Sequence, residues 1–91
     1  MAQIRFDDQV VIVTGAGRGL GRQHALLLSS RGATVVIADA SAEPAEETAA
    51  EIVAAGGSAM AVVSRLGEPQ TAADLVAGAH RRFGRLDAVL N

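Results

Sequence analysis

Cysteine, tryptophan, tyrosine and lysine are all absent from this 91-residue sequence, and its aromatic content is two phenylalanines. Without cysteine there is no disulfide framework and no thiolate metal site. With so few aromatics, the apolar half of the composition is chiefly Ala, Val and Leu, which suits strands and helices packed closely in layers and favours an α/β fold. Neither sign of charge dominates: eight arginines are scattered among ten acidic residues for a net charge of −2. No basic face results, so nucleic acid and anionic membrane surfaces are excluded as partners. Long apolar runs are missing too. Runs with β-branched residues, such as Val10 to Val13, are only a few residues long, and Met1 to Asp8 contains no apolar signal core, which predicts a cytoplasmic protein with no membrane span. The length allows one domain at most, and a domain of this size buries only about 60–65% of the surface that its unfolded chain exposes.

The residues that are present alternate between two periods. Gln9-Val10-Val11-Ile12-Val13-Thr14 is a continuous β-branched run ending in glycines, as expected of a strand buried on both faces of a parallel sheet. Over 20–31 the pattern becomes helical: Gly21, Ala25, Leu28 and Gly32 recur at intervals of four, three and four, making a narrow face of small residues, and Gly32 caps the helix. Thr34-Val35-Val36-Ile37-Ala38-Asp39 predicts a second buried strand. Ser41 can then cap a helix that tolerates Pro44 in its first turn, turns Ala45, Ala49 and Ile52 inward, and ends at Gly56-Gly57. A third strand is expected over 59–64 and a helix over 69–83, with Ala72, Leu75, Val76, Ala79 and Phe83 on one side. A fourth strand is expected at Leu86-Asp87-Ala88-Val89-Leu90. Strands alternating with helices at this spacing describe βαβ units on a parallel sheet, the first half of a Rossmann-type doubly wound fold with strands 1–4 and three helices.

Between the first strand and the first helix lies Thr14-Gly15-Ala16-Gly17-Arg18-Gly19-Leu20-Gly21. A G-x-x-x-x-G-K-[ST] phosphate loop fails because Leu20 and Gly21 occupy the required Gly and Lys positions. The G-x-G-x-x-G fingerprint fails at Leu20 or at Arg22. G-x-x-x-G-x-G fits at Gly15, Gly19 and Gly21. In that spacing Gly15 turns the chain out of the strand, Gly19 removes a Cβ that would block a pyrophosphate, and Gly21 lets the helix approach the strand. The helix N-terminus then offers free N–H groups and a partial positive charge to phosphates. A glycine turn with no ligand shares the spacing; the position between a buried strand and a helix favours the phosphate reading.

Asp39 ends the second strand 18 residues after Gly21. In a doubly wound sheet a carboxylate there lies beside the first crevice and can accept both ribose hydroxyls of an adenosine, although an Asp can also simply terminate a strand. Asp39 bears on cofactor choice as well. A 2′-phosphate about 4 Å away would meet repulsion of up to about 4 kcal/mol at an effective dielectric near 20, less after screening. NAD is therefore favoured over NADP. Arg18 pulls the other way, because a guanidinium can pair with a 2′-phosphate as readily as with a pyrophosphate or with Asp39. Ala40 adds no second cation. His24 and His80 have no carboxylate or second histidine at metal-ligand spacing and read as surface or helix-packing residues, and no metal site is expected. Arg81, Arg82 and Arg85 read as a solvated helix end.

The octapeptide 14–21 resembles the T-G-x-x-x-G-x-G loop of the short-chain dehydrogenase/reductase family, and Arg82-Phe83-Gly84-Arg85-Leu86-Asp87-Ala88-Val89-Leu90-Asn91 resembles the approach to that family's N-N-A-G segment. The likeness covers essentially the whole chain, so residues 1–91 are expected to be the N-terminal, NAD-binding portion of a longer domain of this kind. It implies that Gly15, Arg18, Gly19, Leu20 and Gly21 surround the pyrophosphate, that Asp39 and Asn91 lie at the adenosine ribose, and that Thr14 braces the loop against the final segment. After the third strand the family usually has an Asp followed by an apolar residue. Here the pair is Arg65-Leu66, in which Leu66 still offers a backbone N–H and an apolar wall to adenine while Arg65 cannot accept a hydrogen bond. The resemblance further implies an oxidoreductase, a homo-oligomer, that transfers hydride between nicotinamide and a small-molecule alcohol or ketone. The family uses a Tyr as acid/base, a Lys and a Ser for this, and these 91 residues contain neither Tyr nor Lys. A sheet stopping at the fourth strand would expose an apolar edge, so the sequence reads as a fragment of a dehydrogenase. A non-catalytic module that binds NAD or ADP-ribose, and a structural unit with an empty loop, are the alternatives.

Overall fold

Two apolar, β-branched runs form the centre of the sheet. In the computed structural model, which describes residues 4–16, 19–63 and 69–90, they are β1 (Val10–Thr14) and β2 (Thr34–Asp39). Around them stand α1 (Gly19–Ser30), α2 (Ala42–Ala54), β3 (Ser58–Val63), α3 (Pro69–Phe83) and β4 (Ala88–Leu90). The four strands are parallel in the order β3-β2-β1-β4. This is the Rossmann-type α/β arrangement expected from the alternation of periods.

Strand alternation separates two cores. Val11, Val13, Val35 and Ile37 face α1 and α2, against Ala25, Ala45, Ala49 and Ile52. Val10, Ile12, Val36 and Ala38 face α3, against Leu75 and Ala79. Ile12, Ile37, Val13, Val35 and Val36 are fully buried, each stabilising the fold by about 1.5–3 kcal/mol relative to exposure. The small residues expected on the inner faces of α1 and α2 are what let these helices lie close to the sheet. At the end of α1 the Gly32 N–H donates to Ser29 O (3.0 Å) and the Ala33 N–H to Leu28 O (3.1 Å). At the end of α2, Gly56 and Gly57 repeat the pattern on Val53 and Ile52, so both helices close with a Schellman motif.

Three local expectations need correction. Ser41 stands at the N-cap of α2, but its side chain makes no capping bond; its backbone N–H instead donates to Asp39 Oδ1 at 3.0 Å. Val76 is 40% exposed, because it lies about 100° around the helix from Leu75 and the stripe facing the sheet is centred on Leu75, Ala79 and Phe83. The side chain of Ala72 lies outside the described set. β4 begins at Ala88 rather than at Leu86, since Asp87 is used otherwise: its Oδ2 accepts the Val10 N–H at 2.7 Å and its own N–H donates to Val10 O at 2.9 Å. The start of β1 is thereby fastened to the approach to β4.

Candidate nucleotide-binding site

The strand order creates the site. From β1 the chain moves outward through α1, β2, α2 and β3 on one side, then crosses by α3 to β4 on the other side of β1. Connections leaving β1 and arriving at β4 therefore lie on opposite faces, and a crevice opens above the C-terminal ends of these two strands, the usual position for a ligand in an open α/β sheet.

The glycine turn sits at that crevice. Gly15 and Gly19 have φ of 64° and 62°, in the left-handed region that side chains with a Cβ adopt at a cost. A Cβ added at either would meet nothing within 4 Å. Both positions are therefore open where a side chain would stand. Gly21 has a different role. A Cβ there would overlap Gly15 O and stand 3.0 Å from its carbonyl carbon and 3.2 Å from Ala16 Cα, so its absence lets the first turn of α1 pack onto the loop. Leu20 is 71% exposed beside the same helix start, whose first N–H groups have no intrahelical acceptors.

Two long-range bonds hold the turn in place. Thr14 Oγ1 donates to Leu90 O at 3.1 Å, joining the ends of β1 and β4 across the crevice, as the resemblance implied. The Ala16 N–H donates to Ala38 O at 3.3 Å, tying the turn to the end of β2. One residue further, Asp39 is 8% exposed. Thr14 pairs in register with Ala38, which brings the Asp39 carboxylate to the level of Gly15 on the neighbouring strand. Arg18, Arg65, Leu66 and Asn91 lie outside the described residues.

Sequence reasoning passed over Asp87, although a carboxylate inside an otherwise apolar run was a signal. Arg85 Nε and Nη2 donate to it at 2.9 and 2.6 Å. The Arg85 hydrogen bonds, with that of the Val10 N–H, hold its carboxyl below the usual carboxylate range. It supports β1 and β4 from the end opposite the crevice.

Elsewhere, a cavity of about 790 Å³ opens beside the C-terminal ends of α1 and α2, with Ser29, Gly32 and Gly57 in its wall. It is remote from the glycine turn, and its charged residues are already engaged, Arg5 with Asp7 and Glu51 with Arg22. His24 and His80 are exposed, and among the described residues no group of three or more His, Asp or Glu could hold a metal. Nor is any described helix long and apolar enough to cross a membrane.

Comparison with known proteins gives this geometry a context. The sequence profile of the short chain dehydrogenase family matches residues 9–91. The chain belongs to the short-chain dehydrogenase family. It is 45% identical over 86 residues to versicolorin reductase 1 of Aspergillus parasiticus, covering 93% of this chain and 33% of that protein. It is 39% identical over 87 residues to cyclohexanol dehydrogenase of an Acinetobacter species, covering 96% of this chain and 35% of that protein. The short-chain dehydrogenase chain thus spans about a third of the length of these relatives. Among solved structures, a 7α-hydroxysteroid dehydrogenase complexed with NADH and 7-oxo glycochenodeoxycholic acid superposes with a TM-score of 0.92 at 33% identity, covering 96% of this chain and 34% of that one. A metagenomic short-chain oxidoreductase in complex with NADP gives 0.85 at 37% identity, covering 91% and 38% respectively.

Proposed function

We propose that this chain is the nucleotide-binding segment of an NAD-dependent oxidoreductase, and that the whole protein acts on a small-molecule alcohol or ketone as a homo-oligomer. The observation that carries the reading is the buried Asp39 carboxylate beside an open glycine turn, at the C-terminal ends of adjacent parallel strands. The open side of Gly15 and Gly19 and the start of α1 suit a pyrophosphate, with Leu20 beside it and Gly21 allowing the close approach. The Asp39 carboxylate suits the adenosine ribose hydroxyls. The family resemblance completes the set with Arg18 at the pyrophosphate, Leu66 at adenine and Asn91 near the ribose. When bound, the nicotinamide accepts or donates the hydride. These residues hold the other end of the dinucleotide and fix its direction across the crevice. Relatives and neighbours whose names denote reductases and dehydrogenases support the reaction class, and neighbours solved with NADH and with NADP support a nicotinamide cofactor.

Asp39 favours NAD. With half of the repulsion of about 4 kcal/mol remaining after screening, NADP binds about 30-fold more weakly. Calorimetric titration of the intact protein with each cofactor tests this. Wild type is expected to prefer NAD by that order, and Asp39→Asn, which removes the charge, to bring the two affinities together. Equal affinities in wild type refute the assignment of Asp39.

A further inference from the structure

The Asp39 carboxylate is held from its own chain. Its Oδ1 accepts the Ser41 N–H at 3.0 Å, closing an Asx-type turn two residues long. Ser41 is also the N-cap of α2, with extended backbone at φ −106° and ψ 124°, so the donor belongs to the rigid start of a thirteen-residue helix. The residue before Asp39 is fastened as well, through the Ala38 carbonyl that accepts the Ala16 N–H. Backbone and carboxylate are therefore pinned separately, and the glycine turn and the carboxylate keep one spacing.

We propose that the backbone N–H of Ser41 is a positioning group for cofactor choice, locking Asp39 against rotation away from an incoming 2′-phosphate. This inference rests on the reading of Asp39 as the ribose ligand. A protein with a mobile carboxylate has an inexpensive way to admit NADP, because the side chain turns aside and the repulsion disappears. Here turning aside breaks a part-buried hydrogen bond to a charged acceptor, which is costly. Both routes to NADP, staying or turning, are therefore unfavourable. For NAD the same lock helps, because the carboxylate already occupies one orientation and little is lost in ordering it.

The donor is a main-chain group, so the two informative variants are Ser41→Pro, which removes the N–H, and Ser41→Ala, which keeps it and removes only the hydroxyl. Affinities of the intact protein for NAD and NADP are measured for wild type and both variants. The expected result is that Ser41→Pro lowers the NAD-over-NADP preference by about tenfold, mostly through tighter NADP binding, while Ser41→Ala keeps the wild-type ratio. Distortion of α2 alone would weaken both cofactors together and leave the ratio unchanged; that result overturns the proposal. A wild type without NAD preference overturns the ribose reading and this inference with it. A wild type that prefers NAD, alongside a Ser41→Pro variant with the same preference, overturns this inference alone. If Ser41→Pro does not fold, the amide resonance of Ser41 in ¹⁵N-serine-labelled protein decides. It is expected to move upfield in Asp39→Ala, where the acceptor of its hydrogen bond is gone, and a resonance unchanged by that substitution overturns the lock.

Discussion

Gly21→Ala and Gly78→Ala make the same chemical change on two helices, and the structure predicts opposite outcomes. In an unobstructed helix interior, alanine is favoured over glycine by about 0.8–1 kcal/mol. Gly78 lies within α3 with nothing within 4 Å of the position that a Cβ would take, so Gly78→Ala should stabilise by about that amount. At Gly21 the new Cβ overlaps Gly15 O and comes within 3.0 Å of its carbonyl carbon and 3.2 Å of Ala16 Cα. These are backbone atoms, and the loop cannot retreat freely because the Ala16 N–H is bonded to Ala38 O at 3.3 Å. Overpacking of this kind costs about 1–3 kcal/mol, and a lost backbone hydrogen bond about 1 kcal/mol more. Set against the gain in helix propensity, Gly21→Ala should destabilise by about 1–3 kcal/mol, leaving the two variants about 2–4 kcal/mol apart. Urea unfolding reads this as midpoints shifted in opposite directions at unchanged slope. Titration with NAD should show weakened binding in Gly21→Ala alone. A Gly21→Ala variant as stable as wild type would refute the reasoning, because it would mean that α1 can step back from the turn without loss.

Two further outcomes follow from the sheet. Ile12→Ala removes a fully buried side chain at the centre of β1, between β2 and β4, and should cost about 2–5 kcal/mol in the same unfolding experiment; a loss below about 1 kcal/mol would mean that the core collapses into the space. Asp87 makes stability depend on pH. Its carboxyl is held below the usual range by the Arg85 hydrogen bonds and the Val10 N–H, so its contribution is present above the unfolded-state value of about 3.9 and lost as pH falls through the lower folded-state value. Asp87→Asn has no such titration. The stability gap between wild type and Asp87→Asn should therefore be widest near neutrality and narrow below about pH 4, and a gap constant through that range refutes the role given to Asp87.

Much of this fold is local and hence legible in the residues. β-branched runs at 10–14 and 34–39 have few alternatives to buried parallel strands, and Gly32 and Gly56 close helices by bonds spanning no more than five residues. The glycine turn was legible for the same reason, since its spacing expresses where the backbone turns left-handed, at Gly15 and Gly19, and where a Cβ would clash, at Gly21. Less legible were contacts whose partners are far apart in the chain. Nothing local pairs Asp87 with the Val10 N–H or Thr14 with the Leu90 carbonyl, 77 and 76 residues away. The hydroxyl of Ser41 was the expected cap of α2, yet the structure shows no capping bond from it and the backbone N–H of the same residue donates to Asp39 Oδ1.

The sequence by itself determined which segments are strands and helices, where glycine is required, and that a carboxylate ends the second strand. These follow from sterics and hydrophobic period, which act over a few residues. Only the tertiary structure decided that β1 lies between β2 and β4, that α3 covers the face opposite α1 and α2, and that Asp39 stands level with Gly15 in a crevice. These depend on burying both faces of one sheet at once, a condition that no single segment can satisfy.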